Sequence, residues 1–296
     1  MRSAQIWSRL AHFVMVSASL LPLWLQAESV VWKVSKEQDY LYLAGTVVML
    51  PERDFALPSS IEAAYNKTNR LILEVQQLQS SDAQSTLAVL QALHYSQGQQ
   101  LLPQLTAATR QQLQQHLLTA AVDLQQLNDY KPAMLMVQLL AIEKQRLQLS
   151  GFTVAEHLAA WAEKEGRAIE HLESFDQQLQ WLTDLGQGHE EAFIRAALLQ
   201  AERFAKDYHR QLDAWQRGDL QQLTPILRWL QQNDPNSYQA LFCKRQQQWV
   251  EQIEAFFGNG YRELVLLDLL HLAGEQGVLA QLQARGYLLE PLIISN

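Results

Sequence analysis

The chain has 296 residues, 48% of them hydrophobic and 18% charged, with a formal net charge of −8. That balance excludes a disordered chain and allows a sizeable core, while the acidic excess removes any electrostatic reason to hold nucleic acid or anionic lipid. The single cysteine, Cys243, excludes an internal disulfide and a thiolate metal site, and reads as a small buried hydrophobe.

Arg2 and Arg9 precede a mostly apolar run from Leu10 to Leu25, and Leu25-Gln26-Ala27 ends it on a small residue. This is the layout of a cleavable signal peptide over residues 1–27. The run falls short of the ~20 apolar residues that a spanning helix needs, and no cysteine follows it to carry a lipid. An uncleaved N-terminal anchor is the competing reading. The expectation is an exported chain, periplasmic or secreted, with no membrane association after cleavage. Loss of Arg2 and Arg9 makes it two charges more acidic.

From residue 28 to 296 no Pro/Ser linker divides the chain, so one domain is expected. Val30–Val34 and Tyr40–Ala44 are β-rich runs whose spacing predicts a hairpin. Leu57-Pro58-Ser59-Ser60 opens a helix with a serine cap and Glu62 in its first turn. Leu71–Val75 reads as a buried strand. From about Ala83 to Gly166 the apolar period is helical, with one long helix from Pro132 through Leu149. Ala168–Leu172 is a short strand candidate. Gln177 to Leu230 reads as more helices, broken at Gly186, Gly188, Gly218 and Pro225. Asp234-Pro235 starts a helix that runs to Phe257, on which Gln246–Gln248 reads as a solvated face. Arg262–Leu270 is a strong strand, His271 to Gly286 a turn and helix, and Tyr287–Leu289 a closing strand. With strands at both ends and helices between them, the fold class is α+β: one sheet built from N- and C-terminal strands, with a large helical insertion.

No phosphate-binding loop, Gly-x-Ser-x-Gly elbow or His-Glu-x-x-His motif is present. Three places remain. Glu74 is a carboxylate inside Leu71–Val75, costly in an apolar strand unless paired or bound. Its plain alternative is a strand-end glutamate in water. His271 follows a strand and precedes Leu272-Ala273-Gly274, where bases and ligands often sit; the plain alternative is a core or helix-capping histidine. Gly45-Thr46 closes the Tyr40–Ala44 strand, and its glycine suggests a bulge or a close backbone approach.

In order, these segments resemble the TraB/GumN (TraB/PrgY/GumN) family, which includes the Tiki metalloproteases. Val31-Trp32-Lys33-Val34 and Leu43-Ala44-Gly45-Thr46 look like its first strands, Leu57-Pro58 with Ile61-Glu62-Ala63-Ala64 its first helix, and Leu73-Glu74 its acidic strand. Gly151-Phe152 through Leu172-Glu173, Ala214-Trp215 with Gly218-Asp219-Leu220, and Arg245 with Trp249 follow. His271-Leu272-Ala273-Gly274, Gly277-Val278-Leu279 and Arg285-Gly286-Tyr287 resemble the C-terminal block. The resemblance covers nearly all of the chain after the signal.

It implies a divalent-metal site (Mn, Co or Zn) built from two Gly-x-x-His motifs and an acidic residue, with activated water cleaving an amide in a peptide or protein ligand. This chain departs from that pattern. The first histidine position holds Val48, the second glycine position holds Asp268, and Gln246 stands after Arg245 where the family usually has Asn. The catalytic and metal candidates are therefore Glu74 and His271, with Asp268 as a replacement ligand. Positions 268 and 271 point to opposite faces of a continuous strand, so Asp268 needs a bend to help. Glu52 and Asp54 are loop alternatives, and Gly45, Thr46 and Arg245 are further motif positions. Two functions follow: a metal-dependent peptidase-like hydrolase with a degenerate site, or an inactive periplasmic binding or regulatory module. A structural role in envelope or polysaccharide export is weaker.

Overall fold

The computed structural model describes residues 29–47, 50, 57–75, 83–96, 98–149 and 153–294. The signal segment 1–27, Val48, Glu52, Asp54 and Gly151-Phe152 lie outside the described residues. Six strands form one sheet: β1 (Val31–Lys36), β2 (Asp39–Thr46), β3 (Arg70–Val75), β4 (Ala168–Glu173), β5 (Glu263–Asp268) and β6 (Leu288–Pro291). Their order across the sheet is β4-β3-β5-β2-β1-β6.

β1 and β2 form the expected hairpin. Lys36 pairs with Asp39, so Glu37-Gln38 is a two-residue turn, with Glu37 at φ 56°. Hairpin turns of this length require positive φ, which fits the twist of the flanking strands. β6 adds antiparallel to β1. The centre differs: β5 is parallel to both β2 and β3, and β3 is parallel to β4. Central parallel strands are buried on both faces and so read as continuous apolar runs, as Glu263–Asp268 does with five of its six residues buried.

Apolar residues alternate between the two faces. Leu71, Leu73, Leu264 and Leu266 pack on one side, against Trp215 and Leu158. Ile72, Leu172, Val265 and Leu267 pack on the other, against Trp249, Val250 and Ile253. A third core, including Leu113, Leu135, Leu139 and Phe193, belongs to the helices between β3 and β4 and the first half of helix Glu190–Arg217. The fold is thus α+β, with the helical insertion holding a core of its own.

Four local expectations are corrected. Ser59 does not cap the first helix: Pro58 holds that position and no side chain bonds the helix end. The strand ends at Asp268, not Leu270, because the Asp268 side chain accepts the Leu270 N–H and starts a helical turn over Leu269–Leu272. Gln246 is 3% exposed, so this part of the glutamine run is core rather than solvated. Cys243 is half-buried, its Sγ 3.4 Å from Gln276 Oε1. Among the described residues, no helix is long and apolar enough to cross a membrane.

Candidate functional site at the carboxyl ends of the parallel strands

Because β2, β5, β3 and β4 run the same way, their carboxyl ends share one edge of the sheet. Ligands of open α/β sheets bind outside such edges. Gly45-Thr46, Asp268, Glu74 and Glu173 are delivered there by four different strands.

Glu74 follows Ile72 by two residues and therefore lies on the Trp249 side of the sheet. His271 packs on Trp249, with ring centroids 4.7 Å apart, and on Phe242, also at 4.7 Å. The early carboxylate and the late imidazole thus occupy the same side. The bend that Asp268 needed is present as the Leu269–Leu272 turn. The Asp268 backbone N–H donates to Glu74 Oε1, and the Asp268 carboxylate is near enough to act on Glu74 electrostatically. Asp268 Oδ1 is engaged by Leu270 N at 2.9 Å.

Burial, and then the Asp268 carboxylate, push Glu74 up to about 7. Arg245 and the Asp268 N–H pull weakly the other way. Burial also pushes Asp268 up to about 6, against the Leu270 N–H and Arg245. Burial, and then Arg245, hold His271 well below its ordinary value, so it is neutral at physiological pH.

Arg245 occupies the middle of this cluster. Its Nε and Nη2 bond Glu173 Oε1 and Oε2 at 2.7 and 3.0 Å. Trp249 Nε1 and Trp181 Nε1 donate to the same carboxylate, each at 3.0 Å, and both indoles stack on the guanidinium at 4.5 and 4.7 Å. A six-residue π-helical stretch, Gln239–Lys244, precedes Arg245 and carries Phe242 to His271. Glu173 and Trp181 were absent from the sequence candidates. The Leu-Glu pair repeated near the carboxyl ends of two strands, Leu73-Glu74 and Leu172-Glu173, is the signal that points to Glu173.

Gly45 sits in a regular strand, not a bulge. A Cβ there would lie 2.3 Å from Leu269 Cδ1, so what crowds the position is a leucine side chain rather than a neighbouring backbone. Its carbonyl accepts from Trp215 Nε1 at 2.8 Å, and Thr46 Oγ1 donates to Leu267 O at 3.2 Å. These motif positions bind the turn and the long helix to the strand end. Beside Glu173 and Arg245 opens a cavity of about 530 Å³, whose walls include Trp181, Gln177, Ser237 and Gln248.

The donor set can be compared with a resident metal ion. Glu74 and Asp268 offer oxygen and His271 offers imidazole, types suited to Mn or Zn. A catalytic zinc-type centre takes three protein ligands. Among the described residues, no three His, Cys, Asp or Glu side chains assemble to hold an ion.

A mixed sheet with its helical insertion, and a carboxylate cluster at the parallel-strand edge, define an α+β protein with an edge-type site. The chain belongs to the TraB/PrgY/gumN family, whose sequence pattern matches residues 30–291. Comparison with curated proteins and with solved structures finds no match.

Proposed function

We propose that this chain is an exported family member, periplasmic or secreted, that keeps the frame of a divalent-metal-dependent hydrolase without its three-ligand centre. In this reading its cleft binds a peptide or protein segment. The observation that carries it is the composition of the edge. Two carboxyl groups meet there and engage backbone N–H groups, and Val48, at the histidine position of the family pattern, has no lone pair for a metal. The adjoining cavity is lined with glutamine side chains that both donate and accept, which suits the alternating donors and acceptors of a polypeptide backbone.

A second reading is hydrolysis by the carboxyl pair itself. Its support is the raised Glu74 and Asp268, since a group that exchanges its proton near neutral pH suits general acid–base work.

Elemental analysis of the purified chain, with peptide-hydrolysis assays, separates the two. The binding reading expects substoichiometric Mn, Co and Zn and no turnover. It also expects Val48→His to raise Co²⁺ affinity by an order of magnitude or more, because each ligand adds to the binding energy. Stoichiometric metal that survives dialysis of the wild-type chain overturns it. Metal-free turnover that disappears in Glu74→Gln selects the second reading.

A further inference from the structure

His271 packs against the Phe242 and Trp249 rings, and among the described residues Gln246 sets its side-chain amide against it. Gln246 Nε2 lies 3.2 Å from the His271 carbonyl oxygen and 3.5 Å from His271 Nδ1. A carboxamide nitrogen has two hydrogens and accepts nothing, whereas its oxygen only accepts. The backbone carbonyl accepts in every protonation state, so it decides which end of the amide faces His271. One Gln246 hydrogen goes to that carbonyl and the other faces Nδ1. Reversing the amide would set two oxygens against each other at the same separation.

The observed orientation has a visible cost: Gln246 Oε1 is buried without a hydrogen-bond partner among the described residues. Such atoms are rare and call for an explanation. Here the explanation is the His271 carbonyl, an acceptor in every protonation state, which only the NH2 end can satisfy.

We infer that Gln246 is a positioning residue that holds His271 as the Nε2–H tautomer, so that the ring presents a hydrogen-bond donor rather than a metal-binding lone pair at Nε2. Histidines that bind a metal through one nitrogen donate from the other to a carboxylate, a carbonyl or water. Here the neighbour of Nδ1 is itself a donor, which is the reverse arrangement. The ligand group matching His271 is then an acceptor such as a peptide carbonyl. The inference does not require the site to lack metal: an ion bound elsewhere on the carboxyl pair would leave the tautomer unchanged.

The test is long-range ¹H–¹⁵N NMR on the full chain labelled at histidine, near pH 7, with His271→Asn used to assign the signals. The wild type is expected to show His271 protonated at Nε2 and bare at Nδ1. A proton on Nδ1, or on both nitrogens, overturns the inference. Gln246→Leu removes the donor and is expected to shift the population toward Nδ1–H. Gln246→Glu supplies an acceptor and should reverse the tautomer outright. A tautomer unchanged in both folded variants removes Gln246 from the role. If neither variant folds, the wild-type spectrum still decides. Metal analysis on the same sample separates this result from the binding reading above, because metal found with the Nε2–H tautomer defeats only the latter.

Discussion

Two adjacent strands carry a Leu-Glu pair near their carboxyl ends, and the structure treats the two glutamates in opposite ways. Glu173, at the end of β4, accepts four hydrogen bonds from Arg245, Trp181 and Trp249. Glu74, at the end of β3, accepts one backbone N–H and faces the carboxylate of Asp268. The same residue at the same edge is therefore a structural anchor in one strand and a proton reservoir in the next. What differs is the supply of donors. The helix that begins at Arg245 reaches β4 with a fork and an indole, and leaves β3 with a field too weak to ionise its glutamate fully.

Breaking the anchor should have the largest effect. Glu173→Gln strands the buried Arg245 charge, and loss of one partner of a buried pair typically costs about 3–5 kcal/mol. Urea unfolding at pH 7 should show a loss of that size. A change below 1 kcal/mol would mean that the anchor has been misread.

The reservoir has a pH signature. Glu74 rises from 4.5 to about 7 and Asp268 from 3.8 to about 6. Carboxyls raised in the folded state bind more protons there than in the unfolded chain. Their contribution is complete below about pH 4 and is lost as pH climbs through 6 and 7. For Glu74 this is on the order of 3 kcal/mol, at about 1.4 kcal/mol per unit. Thermal melts should therefore fall between pH 5 and pH 8 in the wild type, and much less in Glu74→Gln, whose amide oxygen still accepts the Asp268 N–H. A variant with the full wild-type slope would assign the titration elsewhere.

Two smaller tests frame the comparison. Trp215→Phe removes the donor to Gly45 O and should cost about 1–3 kcal/mol in the same unfolding assay. Asp213→Ala breaks an exposed pair with Arg217 and should change stability by less than about 0.5 kcal/mol. If Asp213→Ala matched Glu173→Gln, burial would not be what separates the anchor from an ordinary ion pair.

The strands were legible because apolar runs bounded by turn residues survive in the sequence, from the hairpin to Arg262–Leu270. Glu74, His271 and Gly45 were legible for the same reason: a charged, titratable or side-chain-free residue in such a run breaks its pattern. The partners were not. Nothing in the spacing joins Glu173 to Arg245 across 72 residues. Gln246 looked solvated because its neighbours Gln247 and Gln248 are, and only tertiary packing turns one face of that run inward. The end of β5 lies short of the expected one because the apolar run continues through Leu269-Leu270 past Asp268, although Asp before Leu-Leu-His-Leu is itself a helix-start signal. The family resemblance named residues that the fold gathers at one edge of the sheet, while the local chemistry of Gln246 needed atomic geometry.

The place of β5 in the sheet bears on when this protein can fold. It fills the slot between β2 and β3, yet the contact that joins Glu74 to Asp268 spans 194 residues of chain. Until β5 arrives, β2 and β3 each leave an edge unpaired on the side of the slot it fills. The middle helices can collapse around their own leucines meanwhile, but the sheet, and with it the edge where the carboxyl pair meets, waits for nearly the whole chain.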